Sequence, residues 1–210
     1  MKRIETTHAA DAAAALIEGA LRDAISARGR AVLLVSGGSS PKPVFQRLSG
    51  ADLDWSKVTV GLVDERVEEA GSNAGFVREN LLQGHAAAAT FADMKTDNYR
   101  NLVPADMVMM GMGTDGHTAS WFPGTPDLAC AMDVNSPDVV VEADTGDSAG
   151  NSGFRHRLTL TLPAVMSARN ILLYIPGAAK RAVFDNRAGL PVDALTHSER
   201  LTVICEPKDA

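Results

Sequence analysis

One short stretch concentrates side chains that can do acid–base chemistry: Gly111-Met112-Gly113-Thr114-Asp115-Gly116-His117-Thr118-Ala119-Ser120-Trp121-Phe122-Pro123-Gly124. It follows Met107-Val108-Met109-Met110, an apolar run that reads as a short buried strand. The glycines allow a tight turn and a close approach of backbone to whatever lies above the strand end. Into that turn the chain places a carboxylate, an imidazole and hydroxyls, with no helical periodicity to explain them. Loops at strand ends carry chemistry while scaffolds carry packing. His117 is therefore the candidate general base, near neutral pH by its type. Asp115, two residues away, either orients it or shapes the turn.

The string Gly111-x-Gly113-x-x-Gly116 also matches a dinucleotide-binding fingerprint. That fingerprint needs a helix opening directly after it and an acidic residue about 20 positions on. Pro123 and Pro126 follow instead, in a segment that cannot carry a crossover helix. No nicotinamide or flavin cofactor is expected.

Other turns carry further candidates. Ser36-Gly37-Gly38-Ser39-Ser40-Pro41 has the parts of an anion cradle: exposed backbone N–H groups, hydroxyls and a helix start beyond. It reads equally as a plain strand-to-helix connection, and it lacks the Gly-Lys-Ser/Thr of a Walker motif. Asp64-Glu65-Arg66 follows a strand and is ambiguous alone. Lys180, in Gly177-Ala178-Ala179-Lys180, falls in the first turn of a helix, where the dipole disfavours a cation. Either an anionic ligand or plain surface exposure accounts for it. Arg155-His156-Arg157 stands before a strand and could line a site entrance. His8, His85 and His197 read as surface residues, and Trp121 and Phe122 as a lid or local core.

The elements that must position these turns alternate. A helix is predicted over residues 8–28, closed by Gly29, then a strand at Ala31–Val35 and a helix at Pro41–Leu48. Strands follow at Val58–Val63, Met107–Met110, Val139–Glu142, Leu158–Leu162, Asn170–Ile175 and Leu201–Cys205. Helices are read near Ala74–Leu82 and at Ala178–Ala188, with an irregular segment over 125–156. Such alternation implies a mainly parallel sheet covered on both faces, with ligands beyond the carboxyl ends of its strands. The turns at 36–40, 64–66 and 111–117 should then share one edge.

At 210 residues, 45% of them apolar, the chain can bury a full core and is read as one domain spanning 1–210. A net charge of −6 argues against a nucleic-acid surface, so any anionic ligand must be held by a local positive site. Cys130 and Cys205 are far apart and lack metal spacing, which points to a reducing cytoplasm. Glu5, His8 and Asp11 interrupt anything like a signal-peptide core, and no run is long enough to span a membrane.

Five blocks, in order and spacing, resemble the 6-phosphogluconolactonases. They are Ser36–Pro41, Asp64-Glu65-Arg66-Val67 with Ser72-Asn73, Gly111–Ser120, Arg157-Leu158-Thr159-Leu160-Thr161, and Gly177-x-x-Lys180. The resemblance implies an α/β fold, a modified Rossmann-like three-layer α/β/α sandwich with a mainly parallel sheet. It also implies hydrolysis of 6-phospho-D-glucono-1,5-lactone in the oxidative pentose phosphate pathway, with no metal or cofactor, in a monomer or small homo-oligomer. His117 and Asp115 would be catalytic. Arg66, Lys180 and the turn at Gly37, Gly38 and Ser39 would hold the phosphate, joined by Arg157; Asp64 and Gly113 complete the substrate-binding set. N–H groups of the glycine loop are the candidate oxyanion donors.

The related glucosamine-6-phosphate deaminases share the glycine–histidine loop. They carry Asn-Glu-Pro a few residues after the histidine, where this chain has Trp121-Phe122-Pro123, and an aromatic residue where it has Arg66. Non-catalytic sugar-phosphate sensors on the same fold usually carry a DNA-binding helical domain, for which 210 residues leave no room; a stand-alone sugar-phosphate binder is the remaining alternative, and the intact His117 speaks against it. Two departures touch local architecture: a short 83–106 segment with its helix reduced to Thr96–Leu102, and a last strand that ends Cys205-Glu206-Pro207.

Overall fold

The uninterrupted apolar runs become the middle of a seven-stranded sheet. A computed structural model describes residues 1–68 and 71–208. The chain opens with β1 (Lys2–Glu5), α1 (Ala9–Arg28), β2 (Ala31–Val35), α2 (Lys42–Leu48) and β3 (Val58–Leu62). β4 (Asp64–Arg66), α3 (Asn73–Asn80), β5 (Thr90–Phe91), β6 (Met107–Met110) and α4 (Leu128–Ala131) follow. The last stretch holds β7 (Val140–Asp144), β8 (His156–Leu160), α5 (Leu162–Met166), β9 (Ile171–Ile175), α6 (Ala178–Asp185) and β10 (Leu201–Cys205).

The main sheet runs β1-β10-β9-β6-β2-β3-β5, and every pairing in it is parallel. β6 and β9 are buried at every residue, the mark of strands covered on both faces. α1 buries Ala13, Ala14, Ile17, Leu21 and Ala24, a stripe at helical spacing turned to the core. Chain order reverses between β2 and β6: β3 lies outward on one side, β9 and β10 on the other. That reversal opens a crevice at the carboxyl ends of β2 and β6. The turns at 36–40 and 111–117 leave from those ends.

Val63 takes the chain out of this sheet. Its N–H donates to the Val35 carbonyl (3.0 Å) and its own carbonyl accepts from Leu160 (2.8 Å). β4 then pairs antiparallel with β8, and β8 with β7, forming a second sheet beside the crevice. Asp64-Glu65-Arg66, read as a charged turn, is thus a strand. The strand expected to reach Leu162 stops at Leu160, because the Thr161 side chain caps α5 through the Ala164 N–H. α6 stops at Asp185, short of Ala188. Thr96–Leu102 is a 3₁₀ turn over Asp97–Leu102.

One edge residue depends on this turn. β5 pairs with β3 only at Thr59 and Val60, so Leu62 lies past the end of its neighbour. The Tyr99 hydroxyl donates to the Leu62 carbonyl and accepts from its N–H, satisfying both groups where the sheet has run out. Burial pushes the Tyr99 phenol well above its ordinary range, so it remains protonated and able to donate.

Candidate active site

The turns at 36–40 and 111–117 meet at the carboxyl ends of the parallel sheet, and β4 from the second sheet joins them. A cavity of about 350 Å³ is lined by Gly37, Gly38, Ser39, Asp64, Arg66 and Gly113 together with His117, Arg157 and Lys180. Of the ten residues singled out from sequence, only Asp115 does not line it, and Asp115 contacts His117 directly. A larger hollow of about 760 Å³ lies between the 94–100 segment and the second sheet. It contains no histidine or cysteine.

Ser36 ties the two crevice loops together. Its N–H donates to the Met109 carbonyl (2.9 Å), and its hydroxyl accepts from the Gly111 N–H (3.1 Å). Beyond Ser36, the N–H groups of Gly37, Gly38, Ser39 and Ser40 find no acceptor among the described residues. Four consecutive unspent donors at a cavity wall make a concave anion site. α2 has only seven residues and Pro41 at its start, so the cradle rests on these N–H groups more than on a helix dipole.

Lys180 faces the cradle. Its Nζ donates to Ser40 Oγ at 2.7 Å, and it forms no ion pair among the described residues. Burial lowers its pKa. A half-buried cation at the first turn of a helix, with one hydroxyl for company, is a costly arrangement without an anion. The surface reading of Lys180 is set aside. Glu206, just beyond β10, accepts the Gly177 N–H (3.0 Å) and fixes the turn that presents this lysine.

The second sheet supplies two more cations. Arg66 and Arg157 lie opposite each other in the β4–β8 ladder, where like charges repel. Arg66 donates to the Gly71 carbonyl and stacks over Phe154 at 4.4 Å, while its Nε has no partner among the described residues. Arg157 is buried, and desolvation lowers its pKa. Its Nε donates to the Phe154 carbonyl (2.9 Å) and one terminal nitrogen to Asn151 (2.6 Å). The other lies 3.5 Å from Asp64. Asp64 Oδ2 also accepts from Ser120 Oγ at 2.8 Å. This carboxylate lines the cavity and balances Arg157.

Glu65 is buried for a different reason. Its carboxylate accepts the N–H groups of Arg66 (2.7 Å), Asn73 (2.7 Å) and Ala74 (2.8 Å), capping α3. Asn73 in turn donates to the Asp64 carbonyl and packs against Gly37, where a Cβ would sit 2.2 Å from its side-chain oxygen.

At the base, His117 Nδ1 lies 2.5 Å from Asp115 Oδ1, which also accepts the His117 N–H at 3.1 Å. Burial pushes the Asp115 carboxyl up, but the hydrogen bonds and charge of His117 outweigh it, and the net shift is downward. Asp115 is thus an ionised acceptor that orients the imidazole. Phe122 stacks on the ring at 4.1 Å between centroids, so it is core, as is Trp121. The glycine loop does not supply its own glycine N–H groups to a ligand. Gly111 donates to Ser36, Gly113 to the His117 carbonyl and Gly116 to the Gly113 carbonyl. Gly113 contributes space instead: a Cβ there would lie 2.3 Å from the imidazole.

Residues 5–203 match the family model for glucosamine-6-phosphate isomerases and 6-phosphogluconolactonase. The chain belongs to that family. A 6-phosphogluconolactonase of Caulobacter vibrioides is 37% identical over 92% of this chain and 90% of its own length. One from Rhizobium meliloti is 40% identical over 89% of this chain and 88% of its own. The crystal structure of a 6-phosphogluconolactonase from Shewanella baltica superposes with a TM-score of 0.83 at 33% identity, covering 98% of this chain and 95% of that one.

Proposed function

We propose that this cavity hydrolyses 6-phospho-D-glucono-1,5-lactone to 6-phospho-D-gluconate, the lactone-opening step of the oxidative pentose phosphate pathway. The observation that carries this reading is the opposition, across one cavity, of a carboxylate-held imidazole and a cationic cradle in which, among the described residues, Lys180 has no carboxylate partner. The phosphate occupies the N–H groups of residues 37–40, flanked by Lys180 and Arg66, whose unspent donors suit a dianion. This places the lactone ring toward His117.

With Nδ1–H directed at Asp115, Nε2 is the ring's basic nitrogen. It takes a proton from water as the water oxygen bonds to the lactone carbonyl carbon. The carbonyl becomes an oxyanion, for which the non-glycine N–H groups of the loop, Met112 and Thr114, are the remaining donors. The tetrahedral adduct collapses, the bond from carbon to ring oxygen breaks, and the imidazolium returns its proton to that oxygen. The new carboxylic acid then ionises. Asp115 keeps the imidazole in one tautomer throughout. Amino-sugar deamination requires a carboxylate where Phe122 stands, and no second reading is favoured. The free thiols of Cys130 and Cys205 suit the cytoplasm as the compartment.

The test is a coupled assay. Glucose-6-phosphate is oxidised by its dehydrogenase, and the decay of the lactone formed is followed with and without this protein. Because the lactone opens spontaneously, only a rate above the uncatalysed control supports the reading. Equal rates would overturn it.

A further inference from the structure

We infer that the loop over residues 148–153 is a positioning element for the base, with Gly150 as the wall behind the Asp115–His117 pair. The inference rests on the reading of His117 as that base. A Cβ built on Gly150 would lie 2.5 Å from Asp115 Oδ2 and 3.0 Å from His117 Nδ1. Gly113 borders the same two side chains: a Cβ there would lie 2.5 Å from Asp115 Oδ1 and 2.3 Å from the imidazole. With Phe122 stacked on the ring, the pair is bordered by two glycines and one aromatic face.

The loop is built to hold that position. Asn151, itself buried, donates to Thr145 Oγ1 (3.2 Å) and to the Gly146 carbonyl (2.9 Å) and accepts the Gly153 N–H (2.8 Å). Its own carbonyl takes the Arg157 guanidinium at 2.6 Å. Arg157 therefore acts twice, lining the cavity and bracing the loop from β8. Ser152, in the left-handed region at φ 55° without being glycine, also lines the cavity, so the brace sets the substrate wall together with the base. Gly150 touches no reacting atom and is a positioning residue.

Gly150→Ala tests this. Ordinary contact requires the carboxylate or the loop to retreat by roughly 1 Å, and a displacement of that size costs about 10²-fold in rate. We expect kcat to fall by about that factor with KM within about threefold, because the phosphate cradle stands on other elements. Gly19→Ala on α1, where a Cβ meets nothing, is the control and should leave both constants unchanged. Ring ¹⁵N shifts of His117 give a readout without turnover: one Nδ1–H tautomer in the parent, a mixture in Gly150→Ala.

Coupling is read in the Asp115→Ala background, where the colliding carboxylate is gone. There the added methyl should cost only a few-fold. If Gly150→Ala fails to fold, Asn151→Ala unpins the loop without adding an atom and should give the same tautomer mixture and the same kcat loss. A single tautomer with kcat within threefold, a rise in KM alone, or an equal penalty in both backgrounds would overturn the inference. Should the parent not hydrolyse the lactone, the function fails, and the tautomer readout still decides the positioning claim.

Discussion

Replacing Lys180 with alanine should weaken capture of the phosphorylated lactone while leaving the fold intact. Nζ has one close partner, Ser40 Oγ at 2.7 Å. It sits against the helix dipole of α6, and burial already lowers its pKa. Removing it therefore releases an unfavourable charge in the free protein, and the melting temperature should stay level or rise slightly. Stabilising changes at binding sites behave this way. In the complex the same nitrogen meets a phosphate, and a charge-assisted contact contributes about 1.5–3 kcal/mol. That predicts a KM increase of roughly 10- to 150-fold for the 6-phospholactone. Unphosphorylated gluconolactone, lacking the anion, should lose less than about twofold. The assay compares both lactones in parent and variant, with thermal melting alongside. Equal losses on the two lactones, or a sharp fall in melting temperature, would refute the reasoning and return Lys180 to a structural role.

Four further outcomes follow from the same geometry. Because the Lys180 pKa is depressed, its charge disappears below the ordinary lysine value of 10.5. Binding of 6-phosphogluconate, followed by calorimetry, should weaken as pH rises through that depressed value, and Lys180→Arg should move the loss to higher pH. By linkage, a depressed cation means the folded state binds fewer protons in this window, so parent stability should rise there relative to Lys180→Met. Arg66→Ala should raise KM for the phosphorylated lactone by about tenfold or more, with the unphosphorylated one nearly indifferent. The unmodified protein should release no ammonia from glucosamine-6-phosphate, and Phe122→Glu should depress lactone hydrolysis by adding a negative charge beside the ring at 4.1 Å without creating that activity; ammonia release at a rate comparable to lactone hydrolysis would contradict this. Tyr99→Phe should destabilise by about 1–3 kcal/mol in urea unfolding, since it strips the Leu62 N–H and carbonyl of their shared partner.

Local pattern made β2, β3, β6, β9 and β10 legible, because strands buried on both faces are written as apolar runs. It could not show β1, whose Lys2-Arg3-Ile4-Glu5 carries no alternation and which exists by pairing with β10 at the far end of the chain. β4 was hidden for the same reason, since three charged or polar residues become a strand only when β8 arrives about ninety residues later. The meeting of the turns at 36–40 and 111–117 at one edge was legible, because a parallel sheet puts every such turn on one side; residues 64–66 reach the same cavity from the second sheet. What each charge does there was not. Arg157 was identified, yet most of its donors brace a loop; Asp64 lines the cavity, yet serves Arg157 and Ser120. Glu65 caps a helix that begins eight residues on. Gly150 had no local signal at all, lying in a stretch without periodicity and acting through the atoms it lacks.

The most direct test is the rate of lactone opening by His117→Ala, measured beside the parent in the coupled assay and corrected for the spontaneous reaction. kcat should fall by at least about 10²-fold, with 6-phosphogluconate affinity held within a few-fold, because the cradle at residues 37–40 and Lys180 is untouched. Hydrolysis that survives the loss of this imidazole would contradict this mechanism.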